Sequence, residues 1–120
     1  LVLYNNLWVT RRWNRDNDFR ASGAKKFDSD FTADPALLDF AMDIFKKFKT
    51  PSLSIDVAYD GEKYHLIEFQ AQHFGVNVIV KNKGYYYFES NEWKFKAERP
   101  HIEGAIAKCL LAYLNDKYKS

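Results

Sequence analysis

The chain opens on short apolar runs broken by asparagine. Residues 1–4 and 7–10 flank Asn5-Asn6. Asn tolerates the positive φ of a tight reversal, so the pattern predicts a β-hairpin turning at Asn5-Asn6. Its second strand runs into Arg11-Arg12-Trp13. Residues 14–34 hold many Asp, Asn, Arg, Ser and Lys with little periodicity. They predict a long polar loop or weak strand, a kind of connection that is often functional. Asp34-Pro35 then supplies an N-cap and a first-turn proline. Leu37, Leu38, Ala41, Ile44, Phe45 and Phe48 follow at helical spacing, which predicts a helix over 35–49 that ends at Thr50-Pro51.

Residues 53–59 and 64–71 read as two strands around Asp60-Gly61. Residues 76–80 form a short β-branched run, and Gly84 reads as a turn. Residues 85–88 and 93–95 flank Ser90-Asn91 as a further hairpin. Pro100 opens a last helix over 100–118, striped by Ile102, Ile106, Cys109, Leu110, Tyr113 and Leu114. There is no internal repeat. The sum is an α+β fold over 1–120 as a single domain, an antiparallel sheet with two helices packed on one face.

The hairpin at 53–71 carries the chemistry. Side chains alternate faces along a strand. Ile55, Val57, Tyr59, Ile67, Phe69 and Ala71 are apolar, while Asp56, Glu68 and Gln70 are not. A two-residue turn at Asp60-Gly61 would pair Asp56 with His65 and push Glu68 among apolar side chains, which is costly. A loop of three or five residues restores the match, and five puts Asp56 directly opposite Glu68. A bulged or longer turn is therefore expected, with Gly61 at positive φ. Two carboxylates and an amide oxygen on one face form a hard-oxygen set suited to magnesium. The plainer alternative is a solvated strand face.

Composition narrows the classes. The 120 residues make one domain with one core. Eighteen basic and sixteen acidic residues leave +2, which demands neither nucleic acid nor an anionic membrane. The single cysteine excludes an internal disulfide and a multi-cysteine metal site. No apolar run approaches the roughly eighteen residues of a membrane helix, and no signal-peptide pattern is present. A cytoplasmic location is expected. The chain begins at Leu1 within an apolar stretch, so a piece of a longer protein is expected too.

Asp56, Glu68 twelve positions on, and Gln70 resemble the metal-binding signature of the ATP-grasp ligases, an Asp on one strand and Glu-x-Asn on the next. The stretch from Arg15 through Asp18-Phe19-Arg20 to Ser22-Gly23 resembles the basic loop that several branches of that family place before this hairpin. A helix stands between the two in the same order, and the resemblance spans roughly residues 7–75. It implies the C-terminal lobe of a ligase that activates a carboxylate as an acyl-phosphate, which a nucleophile such as an amine then attacks. Asp56, Glu68 and Gln70 would hold magnesium. Arg20, Lys25, Lys26 and Ile67 would contact ATP, with Arg20 also on the transferring phosphate. The partner lobe, N-terminal in that family, is not within these residues, so the chain alone would be inactive.

Three features depart from the family pattern. Gln70 stands in the Asn position, with an extra methylene. Ala71-Gln72-His73-Phe74-Gly75 replaces a small residue followed by Pro-Gly. The lysines and adenine-clasping segment of the other lobe are missing. Two alternatives stay open: a non-catalytic relative that binds nucleotide or a partner, and a nucleic-acid module using Arg11, Arg12, Arg15, Arg20 and Tyr85–Tyr87. His73 beside the hairpin, His65 and His101 read first as hydrogen-bonded structural residues. Cys109, on an apolar stripe, reads as core.

Overall fold

A computed structural model describes residues 1–12, 27–28, 32–71, 77–99 and 101–118. The first reversal forms one residue earlier than expected. Strand β1 (Val2–Leu3) pairs antiparallel with β2 (Asn6–Leu7), Leu3 opposite Asn6, so the turn is Tyr4-Asn5. Tyr4, not an asparagine, takes the positive φ of 54°. That conformation costs a residue with a Cβ roughly 1–2 kcal/mol. Tertiary contacts hold it. The Tyr4 N–H donates to the Pro51 carbonyl at 2.9 Å, its ring lies edge-on to Phe45 and Tyr113, and its hydroxyl donates to the Asp116 carboxylate.

This short hairpin is the middle of the sheet. Strand β5 (Ser52–Tyr59) joins β1 with Leu53 opposite Val2, and β6 (Tyr64–Gln70) joins β5. On the other side β7 (Gly84–Glu89) joins β2 with Tyr86 opposite Leu7, and β8 (Glu92–Ala97) joins β7. The order is β6-β5-β1-β2-β7-β8, antiparallel throughout. Ser90-Asn91 turn the last hairpin as expected, at φ 56° and 64°, the two positive values of a type I′ turn. β3 (Arg11–Arg12), just before the polar stretch, and β4 (Phe27–Asp28), within it, make a separate two-stranded ladder with Arg11 opposite Asp28.

Among the described residues three helices cover the sheet. Helix α1 (Pro35–Lys46) starts where expected, with Asp34 Oδ1 accepting from the Ala36 N–H at 3.0 Å. It stops three residues short of 49 because the Lys47 and Phe48 N–H groups fold back to the carbonyls of Ile44 and Phe45. The β-branched run expected after Gly75 supplies α2 (Asn77–Lys81) instead of a strand. Burial of Ile79 among Leu3, Trp8 and Tyr85 outweighs the local preference. Helix α3 (Ile102–Lys117) begins at His101, whose Nδ1 accepts from the Gly104 N–H at 3.0 Å; Pro100 lies outside the described residues.

The expectation that two helices share one face is corrected. Val2, Leu7, Leu38, Phe45 and Leu53 form one core with α1. Leu3, Trp8, Ile79, Tyr85 and Cys109 form another with α2 and α3. Adjacent residues of a strand point to opposite faces, so Val2 and Leu3 head two cores and α1 and α3 lie on opposite sides. Central strands apolar at consecutive positions are the mark of a sheet covered on both faces. Gly84 is likewise not a turn. It opens β7 opposite Ala97, where a Cβ would collide with the Lys96 carbonyl.

Candidate functional site

The hairpin tip is built around Asp60. Its Oδ1 accepts from the N–H groups of Glu62 and Lys63 at 2.8 and 2.7 Å, and its Oδ2 lies 2.7 Å from His65 Nε2. Gly61 takes φ 99°, as expected. Together the Lys63 N–H, His65 and the Glu62 N–H pull the Asp60 carboxyl down to about 2.

Tyr59 faces Tyr64 across this tip. That register continued unbroken would set Asp56 opposite Ile67. The ladder shifts between Asp56 and Val57 instead, and Ile67 is the extra residue on β6. Asp56 therefore faces Glu68 directly, the pairing expected of a five-residue loop and on the common face that parity required. The correction comes from a bulge within the strand rather than at the turn. Leu66, not Ile67, faces Val57. Ile67 sits in the bulge next to Glu68, 66% exposed, and the strand ends at Gln70, one residue short of Ala71.

Each face then has one character. Ile55, Val57, Tyr59, Tyr64, Leu66 and Phe69 lie on the α1 side. There Phe69 stacks 4.9 Å from Phe48, and the Tyr64 hydroxyl donates to Asp34 at 2.9 Å. Burial and this bond to a carboxylate push the Tyr64 hydroxyl up to about 12. Ser54, Asp56, Ala58, His65, Glu68 and Gln70 lie on the other side, the face that α3 covers at the sheet centre. Helix α3 is tied there by the Cys109 thiol, which donates to the Pro51 carbonyl at 3.0 Å. Asp56 is half-buried, and Glu68 and Gln70 are exposed. Sequence reasoning did not include Ser54, which stands directly opposite Gln70. The parity rule that paired Asp56 with Glu68 would have found it.

Of the other expected residues, Arg20, Lys25, Lys26, Arg15 and His73 lie outside the described residues. Arg11 is exposed on β3. The Tyr85–Tyr87 run is spent on packing. Tyr85 is buried 5.0 Å from Trp8, Tyr86 lies 5.0 Å from Phe95 and accepts from the Ala33 N–H, and Tyr87 packs on the Tyr85 ring. A small groove beside Trp8, Ile79, Arg99 and His101 shares no residue with the hairpin.

The donor set decides which cation suits the hairpin. Among the described residues no group of three or more His, Cys, Asp and Glu could hold a metal by itself. Magnesium does not need one. It keeps several waters and commonly binds through one or two carboxylates together with phosphate oxygens. Asp56 and Glu68, opposed on one face, fit that shared mode and not an all-protein cage.

Compared with known proteins, the chain matches no family model, no curated protein and no solved structure. The fold stands as α+β, with a six-stranded antiparallel sheet and three helices among the described residues. Among the described residues no helix is long and apolar enough to cross a membrane.

Proposed function

We propose that this chain is the C-terminal lobe of an ATP-grasp ligase, joining a carboxylate to an amine or related nucleophile. The observation that carries the reading is the direct opposition of Asp56 and Glu68, with Gln70 next on the same exposed face. In this reading Asp56 and Glu68 hold magnesium and Gln70 adds an amide oxygen. A magnesium ion held by Asp56 and Glu68 would supply positive charge where the phosphates of ATP carry negative charge. Arg20, outside the described residues, would contact the phosphates, whose oxygens suit a planar guanidinium fork, and Lys25 and Lys26 would add positive charge. Ile67, exposed beside Glu68, offers an apolar surface to the nucleotide. The second lobe closes the site from elsewhere in the full-length protein.

Calorimetry of ATP binding to the full-length protein, with and without magnesium, tests this. Tight magnesium-dependent binding that collapses in Glu68→Ala supports it. Binding unchanged by that substitution refutes the metal assignment.

A second reading rests on Gln70, which lengthens the third donor by a methylene. It makes the lobe a nucleotide- or partner-binding relative without turnover. ADP release by the full-length protein with a carboxylate and an amine would exclude it.

A further inference from the structure

Helix α3 is apolar on two sides. On one, Ile102, Ala105, Ile106 and Cys109 pack into the core with Trp8 and Tyr85, and Tyr113 lies edge-on to Tyr4. On the other, Ala107, Leu110, Leu111, Leu114 and Tyr118 recur at the spacings of three and four that keep to one helix face. This face turns away from the sheet, and its four large side chains are 45%, 61%, 45% and 73% exposed. The solvent side of a helix is ordinarily polar. A contiguous apolar stripe there marks a contact with another protein surface.

The charges at the two ends of the stripe say which surface. Glu103 stands in the first turn and Lys117 in the last, both exposed. The interval of about four turns between them puts both on one edge of the stripe. A two-fold antiparallel pair of helices brings like edges and opposite ends together. With Leu110 of one copy opposite Leu111 of the other, Ala107 falls opposite Leu114, a small side chain against a large one. Glu103 then lies within one residue of Lys117, and the symmetry repeats the pair. Lys108, on the other edge, is already engaged with Glu98 at 3.6 Å.

We propose that a second copy of this chain covers this face, the two α3 helices packing antiparallel about a two-fold axis near Leu110 and Leu111. The surface is self-complementary, as a two-fold contact must be. The inference is independent of the magnesium-nucleotide reading of the hairpin. One helix pair is small beside the roughly 1,200–2,000 Å² of a stable interface, so the dimer is reversible and forms as concentration rises.

Sedimentation velocity of the full-length protein over a series of concentrations tests this. The wild type passes from monomer to dimer. Leu111→Glu, at an exposed position that the core does not use, weakens the dimer at least about tenfold. Glu103→Lys and Lys117→Glu each weaken it about twofold to tenfold, because each turns two attractive pairs repulsive, and the two together restore it. Monomer at every concentration overturns the proposal, whatever else covers the helix. A dimer untouched by Leu111→Glu overturns it as well, since the contact then lies elsewhere. A dimer lost in Leu111→Glu but indifferent to the charge reversals, or weakened by Glu103→Lys alone, overturns the antiparallel pairing.

Discussion

Asp56 and Glu68 face each other directly across β5 and β6, two acidic residues at one rung of the ladder. Like charges so placed oppose sheet formation, by roughly 0.2–1 kcal/mol. A fold indifferent to function would gain by losing one of them. Glu68→Gln, which keeps shape and removes charge, is expected to raise stability by about that amount in urea unfolding without divalent cations. On the proposed magnesium-nucleotide reading, magnesium with ATP is expected to stabilise the wild type, because a ligand of the folded state shifts its unfolding, and to give the variant much less. A variant no more stable than wild type, or one equally stabilised by magnesium-ATP, would contradict this account of the pair.

Two glycines are needed for different reasons, and substitution separates them. A Cβ at Gly84 would run into the Lys96 carbonyl and stand 2.8 Å from Phe95 Cζ. Backbone cannot yield there without opening β7 from β8. Gly84→Ala is expected to cost about 3 kcal/mol or more, at the upper end of overpacking effects. Gly61 has open space around its Cβ position but a φ of 99°, so Gly61→Ala pays only backbone strain, about 1–2 kcal/mol. Urea midpoints for the two variants check both the order and the gap.

The elements legible in the sequence were those set by local chemistry. Asp34-Pro35 marks the start of α1, Ser90-Asn91 a type I′ turn, and the alternation around Asp56 the polar face of the hairpin. What escaped was settled by partners distant in the chain. Tyr4 takes the left-handed turn position because Phe45, Tyr113 and Asp116 hold it. Residues 77–81 turn helical to bury Ile79. The two-sided sheet was written in Val2-Leu3 and Leu7-Trp8, consecutive apolar positions that one covered face cannot absorb. At the site, parity set Asp56 and Glu68 on one face, and the five-residue alternative set them opposite each other. Parity could not choose between a longer turn and a bulge at Ile67, since both restore the same pairing.

Asp60 gives the hairpin tip a contribution to stability that acid removes. The Asp60 carboxyl drops from 3.8 to about 2 through the N–H of Lys63, His65 and the N–H of Glu62. A carboxylate lowered in the folded state stabilises it above the unfolded value, and that contribution drains away as pH falls toward the folded value. The window is therefore roughly pH 4 down to 2. Asp60→Asn keeps an oxygen for the two N–H groups but cannot titrate. The variant is expected to show a shallower loss of stability across that window, in urea midpoints taken at steps of pH. Parallel acid limbs in wild type and variant would mean that Asp60 does not govern it.

Cys109 offers a reading of how firmly α3 holds the sheet. It is buried in the core with Leu3, Trp8, Ile79 and Tyr85, and its thiol donates to the Pro51 carbonyl at 3.0 Å, joining the helix to the start of β5. Burial pushes the thiol up from 9.0 to about 11. The thiolate is the reactive form, and each unit of increase cuts its share about tenfold near neutral pH. Two units remove about a hundredfold before access is considered, and access needs α3 to lift. Iodoacetamide at pH 8 is therefore expected to modify the native protein at least about a hundredfold more slowly than the urea-unfolded chain. Because labelling proceeds through opened molecules, its rate should rise when the α3 anchorage is weakened elsewhere. Tyr113→Phe removes the hydroxyl that donates to the Lys49 carbonyl without touching the cysteine, so faster labelling in that variant would report loosening of the helix. A native rate equal to the unfolded one would mean that α3 does not seal this face.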